Sequence, residues 1–325
     1  MPDLIGTILW PIKWVIEAIL VTFHSALDLI GLDPAAGLTW VLSIVCLVLV
    51  VRAALIPIFV RQIKSQRRML EVAPQLKKIQ DKYKGKKDQF SREAMSRETM
   101  ALYKDTGTNP LASCLPLLIQ MPIFFSLFSV LNEAKPQADG TFKAGVGLLT
   151  QQLSEQFGSA SLFGVAPLRL SIQTALDAGN TVVVVIALIM VVIRTASQFI
   201  TQLQIMSKNQ SPEMKASPMY RQQRVLLYIL PFVFVFSSWA FPIGVMFYWV
   251  ASNGWTVVQQ YIVIRNMPTP GSEAALEREA RMLKKQQRRG IEVVEFTDES
   301  PEAKNEPTQR AQPVNHRRKK KGGRR

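Results

Sequence analysis

One side chain in this sequence stands where physical chemistry resists it. The run Thr39 to Val60, TWVLSIVCLVLVVRAALIPIFV, contains Arg52. It is apolar over about 20 positions, enough to cross a hydrocarbon core of roughly 30 Å as a helix. A guanidinium keeps its charge, and at mid-membrane it costs about 2.5–3.5 kcal/mol even on insertion-based scales. Arg52 lies eight residues before Val60, about 12 Å along a helix. Either its stem snorkels to the nearer surface, or the charge faces a wet, polar cavity between helices. The cavity is the expectation favoured here, because that distance stretches a single side chain. Ionisable groups inside a membrane also mark functional positions by default.

Other chemistry is scarce. The two cysteines, Cys46 and Cys114, lie in apolar runs without a CxxC spacing, which suits small buried residues. The two histidines are His24 and His316, and no HExxH, GxxxxGK[ST] or strand-linked GxGxxG motif is present. Ser237 and Ser238 have no base nearby in sequence, and a serine nucleophile needs one. The expectation is therefore no enzyme, no cofactor and no metal.

The elements that position Arg52 follow from how the residues are distributed. The chain has 325 residues, 48% apolar, with net charge +15. The apolar residues are gathered into long runs, and the charges lie between and after them. That segregation predicts an all-α, polytopic membrane protein. Spans are expected at about 39–60, 113–132, 180–201, 225–241 and 243–264, a five-span core over 38–264, with Pro242 alone parting the last two. The second contains Pro116 and Pro122, each expected to bend it, with Gln120 between them. The third carries Arg194, Gln198 and Gln202 toward its end. Residues 62–109 read as a helical hairpin outside the membrane, Gln62 to Tyr83 and Asp88 to Thr106, turning at Lys84-Gly85-Lys86-Lys87. Residues 133–177 are mixed and glycine-rich.

Ahead of the core, residues 1–37 place Lys13, Glu17, His24 and Asp28 on one helical face with Trp10 and Trp14 among the apolar residues elsewhere. This suits an amphipathic helix in the membrane interface, the alternative being a true first span. It does not read as a signal peptide, since Lys13 falls inside the apolar part. Charge sets topology. The loop after the first span carries thirteen Lys/Arg and the loop after the second only Lys135, Lys143 and Arg169, so the hairpin is expected in the cytoplasm. The tail, 265–325, falls on the same side and the N-terminal helix on the outer face. The tail reads as basic and largely disordered. It ends in Arg317, Arg318, Lys319, Lys320, Lys321, Arg324 and Arg325. By composition that cluster fits RNA, anionic lipid or a solvated topology signal equally.

The run MALYKDTGTNPLASCLPLLIQMPIFF, Met100 to Phe125, resembles the YidC/Oxa/Alb membrane insertases. So do Val51-Arg-Ala-Ala-Leu-Ile-Pro57, Pro242 to Trp249 with Ser252-Asn253, and Gln259-Gln260-Tyr261. The likeness covers roughly residues 5–265. It implies a five-span bundle around a hydrophilic groove open to the cytoplasm and to lipid, closed outward, with Arg52 as the groove arginine and Trp249 as a groove aromatic. Gln120, Gln198 and Asn253 join them on chemistry alone. A large soluble outer domain and a lipid-attachment cysteine near the start are absent, which suits a Gram-positive, actinobacterial version.

The resemblance implies a bacterial plasma-membrane insertase and chaperone. It would receive nascent membrane proteins and release their helices sideways into lipid without nucleotide hydrolysis. A translating ribosome, bound through the basic tail, and the Sec translocon are the further partners expected. The rival is a solute channel or transporter whose Arg52 binds an anion. Such proteins often repeat their halves, and these halves do not repeat.

Overall fold

Two helices at the start of the chain set the frame. In the computed structural model, which describes residues 4–86, 88–108, 115–133, 142–215 and 218–289, α1 (Leu4–Leu29) is followed by α2 (Gly37–Lys82). α2 runs unbroken for 46 residues. The composition change at Arg61 does not end it, because the following QIKSQRRMLEVAPQLKKIQDK is built of good helix formers around Pro74. The outer arm of the expected hairpin is thus the same helix as the first apolar span. The chain reverses at Tyr83–Lys86, where Gly85 takes a φ of 86°, and α3 (Gln89–Asp105) returns. Asp88 caps α3, its carboxylate accepting from Ser91 N at 2.8 Å.

The end of α2 is tied to the middle of α3. Lys82 Nζ and Tyr83 Oη both donate to Glu98 Oε1, at 2.5 and 2.8 Å. Hydrogen bonding from Lys82, then Tyr83, holds the Glu98 carboxyl below its ordinary range, and the bond to Glu98 raises the Lys82 ammonium. Glu98's contribution is therefore present above the usual carboxylate pKa and lost as pH falls through its lowered value. Lys82's is full below the usual ammonium pKa and lost as pH rises through its raised one. The α2–α3 distance, read by paired spin labels, is expected to stay constant between about pH 5 and about pH 10 and to widen in acid. Glu98→Gln should widen it at neutral pH.

Next come α4 (Leu115–Glu133), α5 (Gln151–Ser159), two-residue strands β1 (Ser161–Leu162) and β2 (Ala166–Pro167), and α6 (Ile172–Asp177). The chain continues through α7 (Thr181–Lys208), α8 (Pro212–Lys215), α9 (Pro218–Ser238), α10 (Ile243–Asn266) and α11 (Glu273–Arg288). Met1–Glu279 forms one compact unit, and the chain from Ala280 forms a second. In the first, α10 packs against α7, α2 and α4, while α1 lies on α2 and α4 and α9 on α7.

Among the described residues three helices are long and apolar enough to cross a membrane: Gly6–Leu29, Gly37–Ser65 and Thr181–Lys208. Leu118–Glu133 and Leu227–Ser238 are shorter apolar helices. α10 has 24 residues, but Ser252, Asn253, Gln259 and Gln260 dilute its apolar character. Pro122 lies inside α4 and Pro116 is its second described residue.

Three of the four residues of the α1 polar stripe point inward, and the last, Asp28, is exposed. Lys13, Glu17 and His24 are buried, whereas Trp10 and Trp14 are exposed. Each buried group has found a partner. Lys13 Nζ meets Glu133 Oε1 at 2.7 Å, and Ser129 Oγ donates to the same oxygen. His24 Nε2–H donates to the Pro34 carbonyl at 2.9 Å. The Glu17 carboxylate accepts from Val146 N at 3.0 Å and Gly147 N at 2.7 Å. A Cβ on Gly145 would overlap that carboxylate, so the loop needs glycine to close on it. Glutamine can accept through only one of its two terminal atoms, so Glu17→Gln should lower stability by about 1–2 kcal/mol. Thermal unfolding in detergent reads this, and an unchanged midpoint would mean the loop is held by something else.

Residues 142–180, mixed in composition, build a small cap. Leu149, Phe157, Leu162, Leu168 and Ile172 bury into the common core with Trp40 and Ile243. The cap also finishes α10, which has no side-chain cap. Ile243 N donates to Leu170 O at 2.9 Å and Gly244 N to Leu168 O at 3.0 Å, satisfying two of the orphan donors every helix start leaves.

Candidate functional site

The polar groups of the bundle meet along α10, and helical spacing explains how. Residues four apart share a face, and adjacent ones differ by about 100°. Tyr248 and Ser252 therefore form one face, and Trp249 and Asn253 the next.

The first face looks toward α2 and α4. Arg52 Nη2 donates to Ser252 Oγ, and Gln120 Nε2 donates to Tyr248 Oη at 2.7 Å. Arg52, Gln120 and Tyr248 line a narrow cavity whose other walls include Ile16, Val51 and Leu127. The Arg52 guanidinium also stands 6.0 Å from the Phe59 ring centroid, the outer limit of a useful cation–π contact.

The second face looks toward α7. Asn253 Nδ2 donates to the Arg194 carbonyl at 3.0 Å and lies 3.2 Å from Ser197 Oγ. The side chain of Arg194 lies against Trp249 of α10 and Phe234 of α9, with its Cζ 4.0 Å from each ring centroid. Trp249 extends this into an aromatic cluster, stacked on Phe124 at 5.8 Å and edge-on to Phe241 at 4.9 Å.

Of the five residues expected to share a groove, Arg52 and Gln120 lie together on one side of α10 and Asn253 faces α7. Trp249 bridges the two sides, touching Phe124 of α4 and Arg194 of α7, and half-buried Gln198 makes no hydrogen bond among the described residues. Arg317 to Arg325 lie outside the described residues. Sequence reasoning passed over Tyr248, Ser252 and Arg194 as site residues. The four-residue spacing of Tyr248 with Ser252 was visible, as was a second arginine in an apolar run.

Among the described residues neither arginine has a carboxylate partner. The ion pairs among the described residues are Lys13–Glu133, Lys82–Glu98 and Lys208–Glu277. The site therefore presents two uncompensated positive charges in an apolar bundle.

Comparison with known proteins bears on what is bound. Residues 31–270 match the model of the family described as 60Kd inner membrane protein. The chain is 43% identical over 325 residues to the membrane protein insertase YidC of Tropheryma whipplei (strain Twist), covering 98% of each. The chain belongs to the YidC/Oxa family. It is also 35% identical to the YidC insertase of Bifidobacterium longum, across 96% of this chain and 95% of that one. Against the YidC insertase of Streptomyces avermitilis it is 44% identical, across 81% of this chain and 59% of that one. Membership of the YidC/Oxa family and the three long apolar helices make this a membrane-embedded protein.

Proposed function

We propose that this protein inserts nascent membrane proteins into the bilayer of the bacterial plasma membrane without consuming nucleotide. The reading is carried by Arg52, a permanent cation on an apolar helix whose hydrogen-bonding partner is the neutral hydroxyl of Ser252. Dragging a charged outer segment through hydrocarbon costs several kcal/mol. A hydrophilic groove that opens from the cytoplasm and ends partway shortens the dry path, and Arg52 draws acidic residues of the incoming segment into it. The apolar helix that follows moves sideways into lipid, driven by its own burial. Relatives named membrane protein insertase support this reading.

In this scheme the core crosses the bilayer five times, with the α2–α3 hairpin and the basic tail in the cytoplasm. α1 lies at the outer interface, its polar stripe taken up by the protein and its exposed tryptophans by lipid. The hairpin receives substrate, and the tail holds a translating ribosome through rRNA phosphates. Action beside the Sec translocon is compatible with a laterally open groove. Purified protein in vesicles, given a small single-span substrate and no nucleotide, should protect the translocated segment from added protease. Equal protection in protein-free vesicles would overturn the reading.

A further inference from the structure

We propose that Arg194 is a second binding point for carboxylate side chains of a translocating segment, on the α7 side of α10, opposite the side that Arg52 serves. This rests on the insertion reading above and adds a site to it. α7, α9 and α10, which surround Arg194, contain no Asp or Glu. Trp249 and Phe234 stand over the guanidinium, each ring centroid 4.0 Å from Cζ. Aromatic faces attract the positive charge but leave the in-plane N–H groups unanswered. Nη1 is buried and finds no hydrogen-bond partner among the described residues.

An arginine serving only as packing between two rings would leave no such donor if it were methionine. The aromatic contacts instead fix the guanidinium and leave its fork to a ligand, and the residue keeps part of its surface exposed. A planar fork of donors matches a carboxylate two bonds at a time. Depth favours a substrate side chain over a lipid phosphate. Arg194 lies seven residues before the end of the span expected at 180–201, about 10 Å inside the edge of the core along the helix, whereas phosphates lie beyond the edges of that core. The ligand would be felt elsewhere, because Trp249 also touches Phe124 of α4 and Phe241.

The test uses the full-length protein in vesicles and one substrate in two forms, with Asp or Asn in the translocated segment. Arg194→Met should lower insertion of the Asp form about 5- to 10-fold relative to the Asn form, and Arg194→Lys should restore only part of the loss, since an ammonium keeps the charge but lacks the fork. Equal losses for both forms would mean a packing role and overturn the proposal. A defect that follows the fraction of anionic lipid and ignores substrate charge would assign the site to phosphate and overturn it too. Should Arg194→Met fail to fold, photocrosslinking from beside the substrate Asp in the unaltered protein decides. Adducts on α7 near Arg194 support the proposal, and their absence removes it. If Arg52→Ala shows the charge preference and Arg194→Met does not, this proposal alone falls. If the unaltered protein inserts neither form, the insertion reading falls with it.

Discussion

Arg52→Ala is expected to reduce insertion of a substrate with acidic residues in its translocated segment by about 10- to 100-fold, while a segment with neutral residues passes nearly unaffected. A charge-assisted hydrogen bond in a partly wet site is worth about 1.5–3 kcal/mol. Each 1.4 kcal/mol is about a factor of ten. The same substitution removes one partner of Ser252 Oγ, which keeps its hydrogen bond with Tyr248 beside a cavity with space for about one water, so the fold should survive. Arg52→Lys separates charge from geometry: near-full activity means a point charge suffices, and a remaining loss means both arms of the guanidinium are used. Protease protection of matched Asp and Asn substrates in vesicles reads the difference. Equal loss for both would remove Arg52 from any steering role.

Trp40→Ala should destabilise the protein by about 3–5 kcal/mol. Trp40 is fully buried, stacked on His24 at 3.9 Å and edge-on to Phe157 at 5.1 Å. It therefore joins α1, α2 and the cap at one point. Truncation opens a cavity among all three and removes the surface on which the His24 ring lies. Trp40→Phe should cost much less, because the indole Nε1 is buried without a partner and its removal relieves an unmet donor. Thermal unfolding in detergent ranks the two variants, and similar losses for both would show that the indole is held by more than its shape.

How much of this was legible beforehand depended on distance along the chain. Arg52 declares itself, since one charge in an apolar run needs no partner to be noticed. The turn at Tyr83–Lys86 is equally local, with lysines flanking a glycine. The two faces of α10 follow from spacing, yet their partners do not. Arg52 and Ser252 are 200 positions apart, and only packing brings them together. α1 shows the limit most clearly. Its polar stripe was legible, but periodicity says which residues share a face and nothing of what covers it. Glu133 and the loop at Val146–Gly147 cover it here. The cap was hidden for a related reason: two-residue strands and six- to nine-residue helices are too short to impose a period.

The length of α2 has a mechanical consequence. Its 46 residues make a rod of about 69 Å, clasped among α1 and α10 at one end and free of the core cluster toward the other. A load arriving near Tyr83 acts on a lever whose fulcrum is that clasp. Arg52 sits at that fulcrum, next to the core-packed Val51 and bonded to Ser252 of α10. The cation therefore stays in place while the long arm moves, with Pro57 and Pro74 as the points where the rod yields first.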